Sequence, residues 1–122
     1  MSGRESQTLG HWGEDLAAEE LRKQGCRILS RNWKCRMGEL DLVVEDGRYL
    51  CFVEVKLRKS SAYGTAGEAV DGRKQHKLYV AAQLYLQRHP TSLQPRFDVV
   101  EIEAPQGMDT KAPRVRRIEN AF

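Results

Sequence analysis

The segment Gly38–Arg58, GELDLVVEDGRYLCFVEVKLR, constrains this chain more than any other. Two runs rich in Val, Leu, Phe and Tyr flank Asp46-Gly47, a strong β-hairpin signal. Yet Glu39, Asp41, Glu54 and Lys56 stand inside these runs, where a hairpin packed on a core has no use for charge. Successive strand side chains point to opposite faces. Glu39, Asp41 and Val43 therefore share one face, and Leu40, Leu42 and Val44 the other. On the second strand Phe52, Glu54 and Lys56 share a face, opposite Cys51, Val53, Val55 and Leu57. Pairing Val44 with Tyr49 sets Asp41 opposite Phe52 and Glu39 opposite Glu54, so the charged residues converge on one side of the sheet.

Opposed like charges destabilise a ladder. Lys56 relieves only part of the repulsion, and a divalent cation would relieve more, because hard cations take carboxylate oxygens. The bland alternative is that this face meets water, with Phe52 covered by a neighbour. An acidic trio with a lysine in a strongly apolar hairpin favours a functional site.

Around the hairpin, the apolar spacing of Trp12, Leu16, Ala17 and Leu21 predicts a helix over Leu9–Gln24, ended by Gly25, with residues 1–8 a mobile terminus. Glu14 lies on or beside the inward stripe of that helix, within reach of the acidic face. A strand is expected over Cys26–Trp33, followed by the hairpin strands Glu39–Val44 and Tyr49–Leu57. The small-residue stretch Arg58–Gly72 reads as a mobile functional loop. A second helix is expected over Arg73–His89, with Leu78, Ala81, Ala82 and Tyr85 inward and Gln75 and Tyr79 neighbours on one face. Strands Phe97–Glu103 and Arg114–Ile118 complete an α/β domain spanning residues 9–122. Its central mixed sheet of four to five strands is flanked by two main helices, and Phe97–Glu103 can pair in parallel after the helical crossover.

Cys26, Cys35 and Cys51 have no ligand spacing for zinc and read as packing residues. The net charge of +3 is weak evidence, but basic groups gather at Arg27–Arg36, Lys56–Lys59, Arg73–Lys77 and Arg114–Arg117. On charge alone a solvated mixed-charge surface is the better reading. No apolar run approaches the roughly 20 residues that span a bilayer, and the N-terminus lacks a signal-peptide stretch. A cytoplasmic chain with no membrane partner is expected.

The spacing of Asp41 and Glu54-Val55-Lys56 resembles the D…ExK core of the PD-(D/E)XK nuclease superfamily, with Leu40 at the proline position. The ordered segments GEDLA, RN, GELDLV, FVEVKLR, RFDVV and the terminal NAF resemble the bacterial YraN-like family across nearly the whole chain. Gln75 and Tyr79 are similar to the Q-x-x-x-Y element of RecB-like nucleases.

The resemblance implies a restriction-endonuclease-like fold and a DNA-directed endonuclease related to Holliday-junction resolvases, acting in repair or recombination and dimeric in some relatives. It implies Mg²⁺ or Mn²⁺ held by Asp41, Glu54, the carbonyl of Val55 and Glu14, with Lys56 orienting the attacking water and Glu39 supporting the ligands. Arg58, Lys59, Lys74, Gln75 and Tyr79 would contact nucleic acid, and Asp98 would be structural. Two rivals stand beside it: a nucleic-acid-binding module without turnover, and an interaction protein whose acidic face takes a basic partner.

Overall fold

The computed structural model describes residues 2–59 and 70–122, with side chains from residue 8 onward. The expected loop Arg58–Gly72 therefore lies mostly outside the described residues. Helix α1 (Ser2–Lys23) leads into strands β1 (Arg27–Cys35), β2 (Gly38–Asp46) and β3 (Tyr49–Arg58). Helix α2 (Gly72–Arg88), β4 (Gln94–Glu103), a 3₁₀ turn (Gly107–Asp109) and β5 (Arg114–Ile118) follow. α1 starts before the expected Leu9, because its first polar turns carry no apolar stripe that could reveal them.

The five strands form one mixed sheet in chain order, β1-β2-β3-β4-β5. All neighbours are antiparallel except β3 and β4, which run parallel after the α2 crossover. A helix lies on each face, the arrangement of a restriction-endonuclease-like core. On one face Ala17 and Leu21 of α1 pack with Leu42, Val44, Cys51, Val53, Val100 and Ile102. On the other, Leu78, Ala81, Ala82 and Tyr85 of α2 pack with Val43, Leu50, Phe52 and Val99. Asp71 caps α2 by accepting the Lys74 N–H at 2.9 Å.

The hairpin closes one pair tighter than expected. Asp46 pairs with Tyr49 around Gly47-Arg48, and Val44 pairs with Cys51 rather than Tyr49. Gly47 has φ +59°, a conformation that glycine reaches without a Cβ clash. The slip moves every partner by two residues, an even number, so the β3 side chains keep the faces read from the sequence. Glu39 is not opposite Glu54, and Phe52 faces Val43 rather than Asp41.

A second departure carries more consequence. Strict alternation puts Leu40 with Leu42 and Val44, but Leu40 packs in the α2-side cluster while Leu42 and Val44 pack on the α1 side. The break falls between the pairs Arg31–Leu42 and Trp33–Leu40, where Asn32 and Asp41 stand. Asn32 has φ +52°, a left-handed conformation that asparagine tolerates better than most residues. Both strands change pleat here. Trp33 and Leu40 go to the α2 side, and Glu39 is left beside α1.

Candidate metal centre

Three elements bring carboxylates to this break in the pleat. α1 supplies Glu14, whose side chain is 12% exposed. The next residue toward the N-terminus is Gly13, where an added Cβ would stand 3.1–3.2 Å from the Leu57 side chain of β3. The missing side chain lets α1 lie close against β3 and sets Glu14 over the sheet. β2 supplies Glu39 and Asp41, and one oxygen from each of Glu14, Glu39 and Asp41 falls within 4.8 Å of the others.

Asn32 holds two of these carboxylates. Its Nδ2 donates to both oxygens of Glu14, at 3.0 and 2.9 Å, and to Glu39 Oε1 at 2.7 Å. The left-handed backbone of Asn32 aims its amide out of the ladder and toward α1. Asparagine is depleted in strands, so its place inside β1 is the signal that picks it out. Its role was not legible from spacing, because α1 and β1 meet only in the fold.

Asp41 bridges this group to β3. The β2–β3 pairing runs to Leu42–Val53, and one step further on Asp41 Oδ2 accepts the Val55 N–H at 2.9 Å. A side chain thus occupies the place of the next backbone bond. Burial, then the charges of Glu54 and Glu14, push the Asp41 carboxyl up to about 7, against the Val55 hydrogen bond and Lys74. The group is protonated in an appreciable fraction of molecules at neutral pH unless a cation offsets its neighbours.

Glu54 is 6% exposed and points to the α2 side with Phe52. Its Oε1 lies 3.4 Å from Lys74 Nζ and 3.7 Å from Lys56 Nζ. Its Oε2 is buried without a hydrogen-bond partner among the described residues. An unpaired buried carboxylate oxygen is costly. Sequence reasoning put Glu54 with Asp41 and Glu39. The structure places Glu14, Glu39 and Asp41 closest together, with Glu54 coupled to Asp41 from the other face.

The donors fit a hard divalent cation. Oxygens ligating one ion at 2.0–2.6 Å are at most about 5.2 Å apart, and the three carboxylates meet that limit as they stand. An open cleft of about 360 Å³, lined by His11, Glu14, Asn32, Lys34 and Glu39, leads to them from outside.

The remaining candidates divide. Lys56 and Lys74 reach Glu54, and Lys59 is exposed just past β3. Arg58 pairs with Glu101, Nε to Oε2 at 3.2 Å. Gln75 Nε2 donates to the Val70 carbonyl at 2.7 Å, tying down the start of α2. Tyr79 is 39% exposed and sits edge-on to Phe97, with ring centroids 4.8 Å apart.

Asp98 belongs to a separate network. It is fully buried, bonded by Arg96 at 2.9 and 3.0 Å, by Arg117 at 3.0 Å, and by the Asn120 N–H at 3.0 Å. Burial alone would raise its pKa, but the Arg96, Asn120 and Arg117 hydrogen bonds outweigh it and hold the carboxyl below the usual range. The same network reaches Asp46, at 2.8 Å from Arg117, and fastens the chain end to the sheet. Phe122 completes that fastening with its ring centroid 5.3 Å from that of Phe97.

Residues 13–102 match the model of Uncharacterised protein family UPF0102. A UPF0102 protein of Frankia casuarinae is 48% identical over 120 residues, covering 98% of this chain and 99% of its own. One of Stutzerimonas stutzeri is 51% identical over 124 residues, covering 97% of each chain. One of Pelotomaculum thermopropionicum is 47% identical, covering 93% of this chain and 94% of its own.

Proposed function

The chain belongs to the UPF0102 family, the YraN-like family of its motif set, and we propose that it is a metal-dependent endonuclease hydrolysing phosphodiester bonds of DNA. The observation that carries this reading is Asp41, set between Glu14 and Glu39 on one side and Glu54 on the other, with a lysine beside Glu54. A crowded, partly buried set of carboxylates is unfavourable unless a cation joins it.

Glu14, Glu39 and Asp41 would hold Mg²⁺ or Mn²⁺, with Glu54 Oε2 a further donor. The ion, when bound, supplies acidity to a water and positive charge to the phosphoryl group. The chain's own residues do the rest. Asn32 fixes the Glu14 and Glu39 carboxylates in place. The Val55 N–H orients Asp41. Lys56, 31% exposed, can donate to a water or to a phosphoryl oxygen, stabilising charge as it develops. Lys74 holds Glu54 from α2 and, 43% exposed, can also meet phosphate. Among the described residues no element beyond the sheet and its two helices is placed to read bases, which favours a substrate selected by structure, as in repair or recombination.

The test is cleavage of labelled branched, flapped, single-stranded and duplex DNA with Mn²⁺ or Mg²⁺, using wild type and Asp41→Ala. Metal-dependent cleavage that Asp41→Ala abolishes supports the reading. Equal cleavage by both proteins removes it. Metal-independent DNA binding without turnover by the wild type would assign the chain to the binding-module alternative.

A further inference from the structure

Beyond Glu54, the α2-side face of the sheet continues in two rows that α2 does not cover. Strand pairing fixes them: Lys56, Glu101 and Arg116 lie side by side, then Arg58, Glu103 and Arg114. They share the face of Glu54, whose own row runs through Val99 to Ile118. The inward residues of α2 pack instead on Val43, Leu50, Phe52 and Val99.

The two rows are uneven in charge. Arg58 pairs with the buried Glu101, so one arginine neutralises one carboxylate. Arg114 and Arg116 are exposed and make no ion pair within 4.0 Å among the described residues. They stand two residues apart on one face of the edge strand, about 6.6 Å along it. An open groove of about 440 Å³ runs between Glu101, Glu103, Arg114 and Arg116. Counting the carboxylates of Glu101 and Glu103 that line the groove, the two rows still hold four basic side chains against two acidic ones, and exposed arginines outside any close ion pair suit the phosphate backbone of a stiff polyanion.

We infer that Arg114 and Arg116 on β5 form a phosphate-tracking shelf that carries a duplex DNA arm beside the carboxylate centre. The shelf deepens the nuclease reading and rests on it for the choice of DNA. It adds a direction: the duplex leaves the centre across β4 and β5, away from the β1 edge. Lys56 then stands at the junction of shelf and centre, in one row with Arg116.

The experiment is fluorescence anisotropy with a labelled 20-base-pair duplex and the matching single strand, in EDTA, across a sodium chloride series. Wild type, Arg114→Ala/Arg116→Ala and the control Arg88→Ala are compared, with melting curves to verify folding. The double variant should bind duplex several-fold more weakly and make the negative slope of log K against log salt shallower by about 1.8, roughly 0.9 for each phosphate no longer neutralised. Arg88→Ala, exposed in the last turn of α2, should leave the slope unchanged. An unchanged slope in the double variant overturns the shelf, as does a loss on single strand equal to that on duplex. Because the readout is binding without metal, it separates from the nuclease reading. Cleavage by the wild type with an unchanged slope removes only the shelf, and a shallower slope without cleavage removes only turnover.

Discussion

Asp41 takes the hydrogen bond that the backbone of β2 leaves unmade: its Oδ2 accepts the Val55 N–H at 2.9 Å, one step past the last β2–β3 pair. The carboxylate is thereby fixed at the point where two strands part and two helices approach. Its protonation becomes a property of the fold.

Burial, Glu54 and Glu14 raise the Asp41 carboxyl from 3.8 to about 7. The folded protein therefore keeps a proton that the unfolded chain has already lost, and stability falls as pH rises from about 4 to about 7. Without metal, Tm should drop by several degrees across that window, and Asp41→Asn should flatten the drop. An equal pH slope in both proteins would place the titration elsewhere. Asp98, held below its ordinary value, acts with the opposite sign and only in stronger acid.

Metal binding should expel the same proton. Below pH 7 the apparent Mn²⁺ affinity should rise about tenfold per pH unit and then level off, because one proton leaves as the ion enters. Calorimetry in buffers of different ionisation enthalpy counts that proton directly. Asp41→Asn should show neither the rise nor the release.

Asn32 is the residue to change in order to separate placement from ligation. Asn32→Asp removes the amide donors to Glu14 and Glu39 and adds another negative charge at a left-handed position. The metal-free protein should lose about 2–4 kcal/mol, from a broken hydrogen-bond network and a buried like charge. Saturating Mn²⁺ should restore part of that in thermal melts, since a cation reverses the sign of the added interaction.

Lys56→Ala should lower the cleavage rate by about 10²–10³, the size expected on removing a charge-stabilising donor, with little change in DNA affinity. Glu54→Gln should also abolish turnover. It should not destabilise the metal-free protein by more than about 1 kcal/mol, because the Lys56 and Lys74 partners of Oε1 are 31% and 43% exposed and keep their water, and Oε2 has no partner among the described residues. Initial rates and urea melts of the two variants check both statements.

The Asp98 network predicts the converse pattern. Asp98→Asn leaves Arg96 and Arg117 largely buried beside a neutral amide and should cost about 3–5 kcal/mol. Cleavage per folded molecule should be unchanged, because the network stands at the opposite end of the β2–β3 pair from Asp41.

The elements were legible because their periods are clean. Leu78, Ala81, Ala82 and Tyr85 are the buried residues of α2, and β5 spans the expected Arg114–Ile118. The approach of Asp41 to Glu54 was legible, but the expected gathering of all four charged residues on one face was not met. The hairpin register expected from Val44 and Tyr49 is off by two residues, and the even slip keeps the faces of β3 only, so Glu54 and Lys56 stay on the α2 side while Glu39 goes to the α1 side. Leu40 and Glu39 were misplaced, because a change of pleat at Asn32 and Asp41 leaves no mark in an alternation count. The bond from Asn32 to Glu14 joins residues 18 apart and needs the packing of α1 on the sheet before it exists. The Arg114–Arg116 shelf likewise needed the strand order, which set β5 in the rows of Lys56 and Arg58.

The strand order repeats the order of the chain. Glu14, Asn32, Glu39, Asp41, Glu54 and Lys56 consequently sit in one continuous stretch of polypeptide, complete before the crossover begins. Length can be added or removed between β3 and α2 without altering any spacing within that stretch. Evolution can thus redesign what the connection meets and leave the acids untouched.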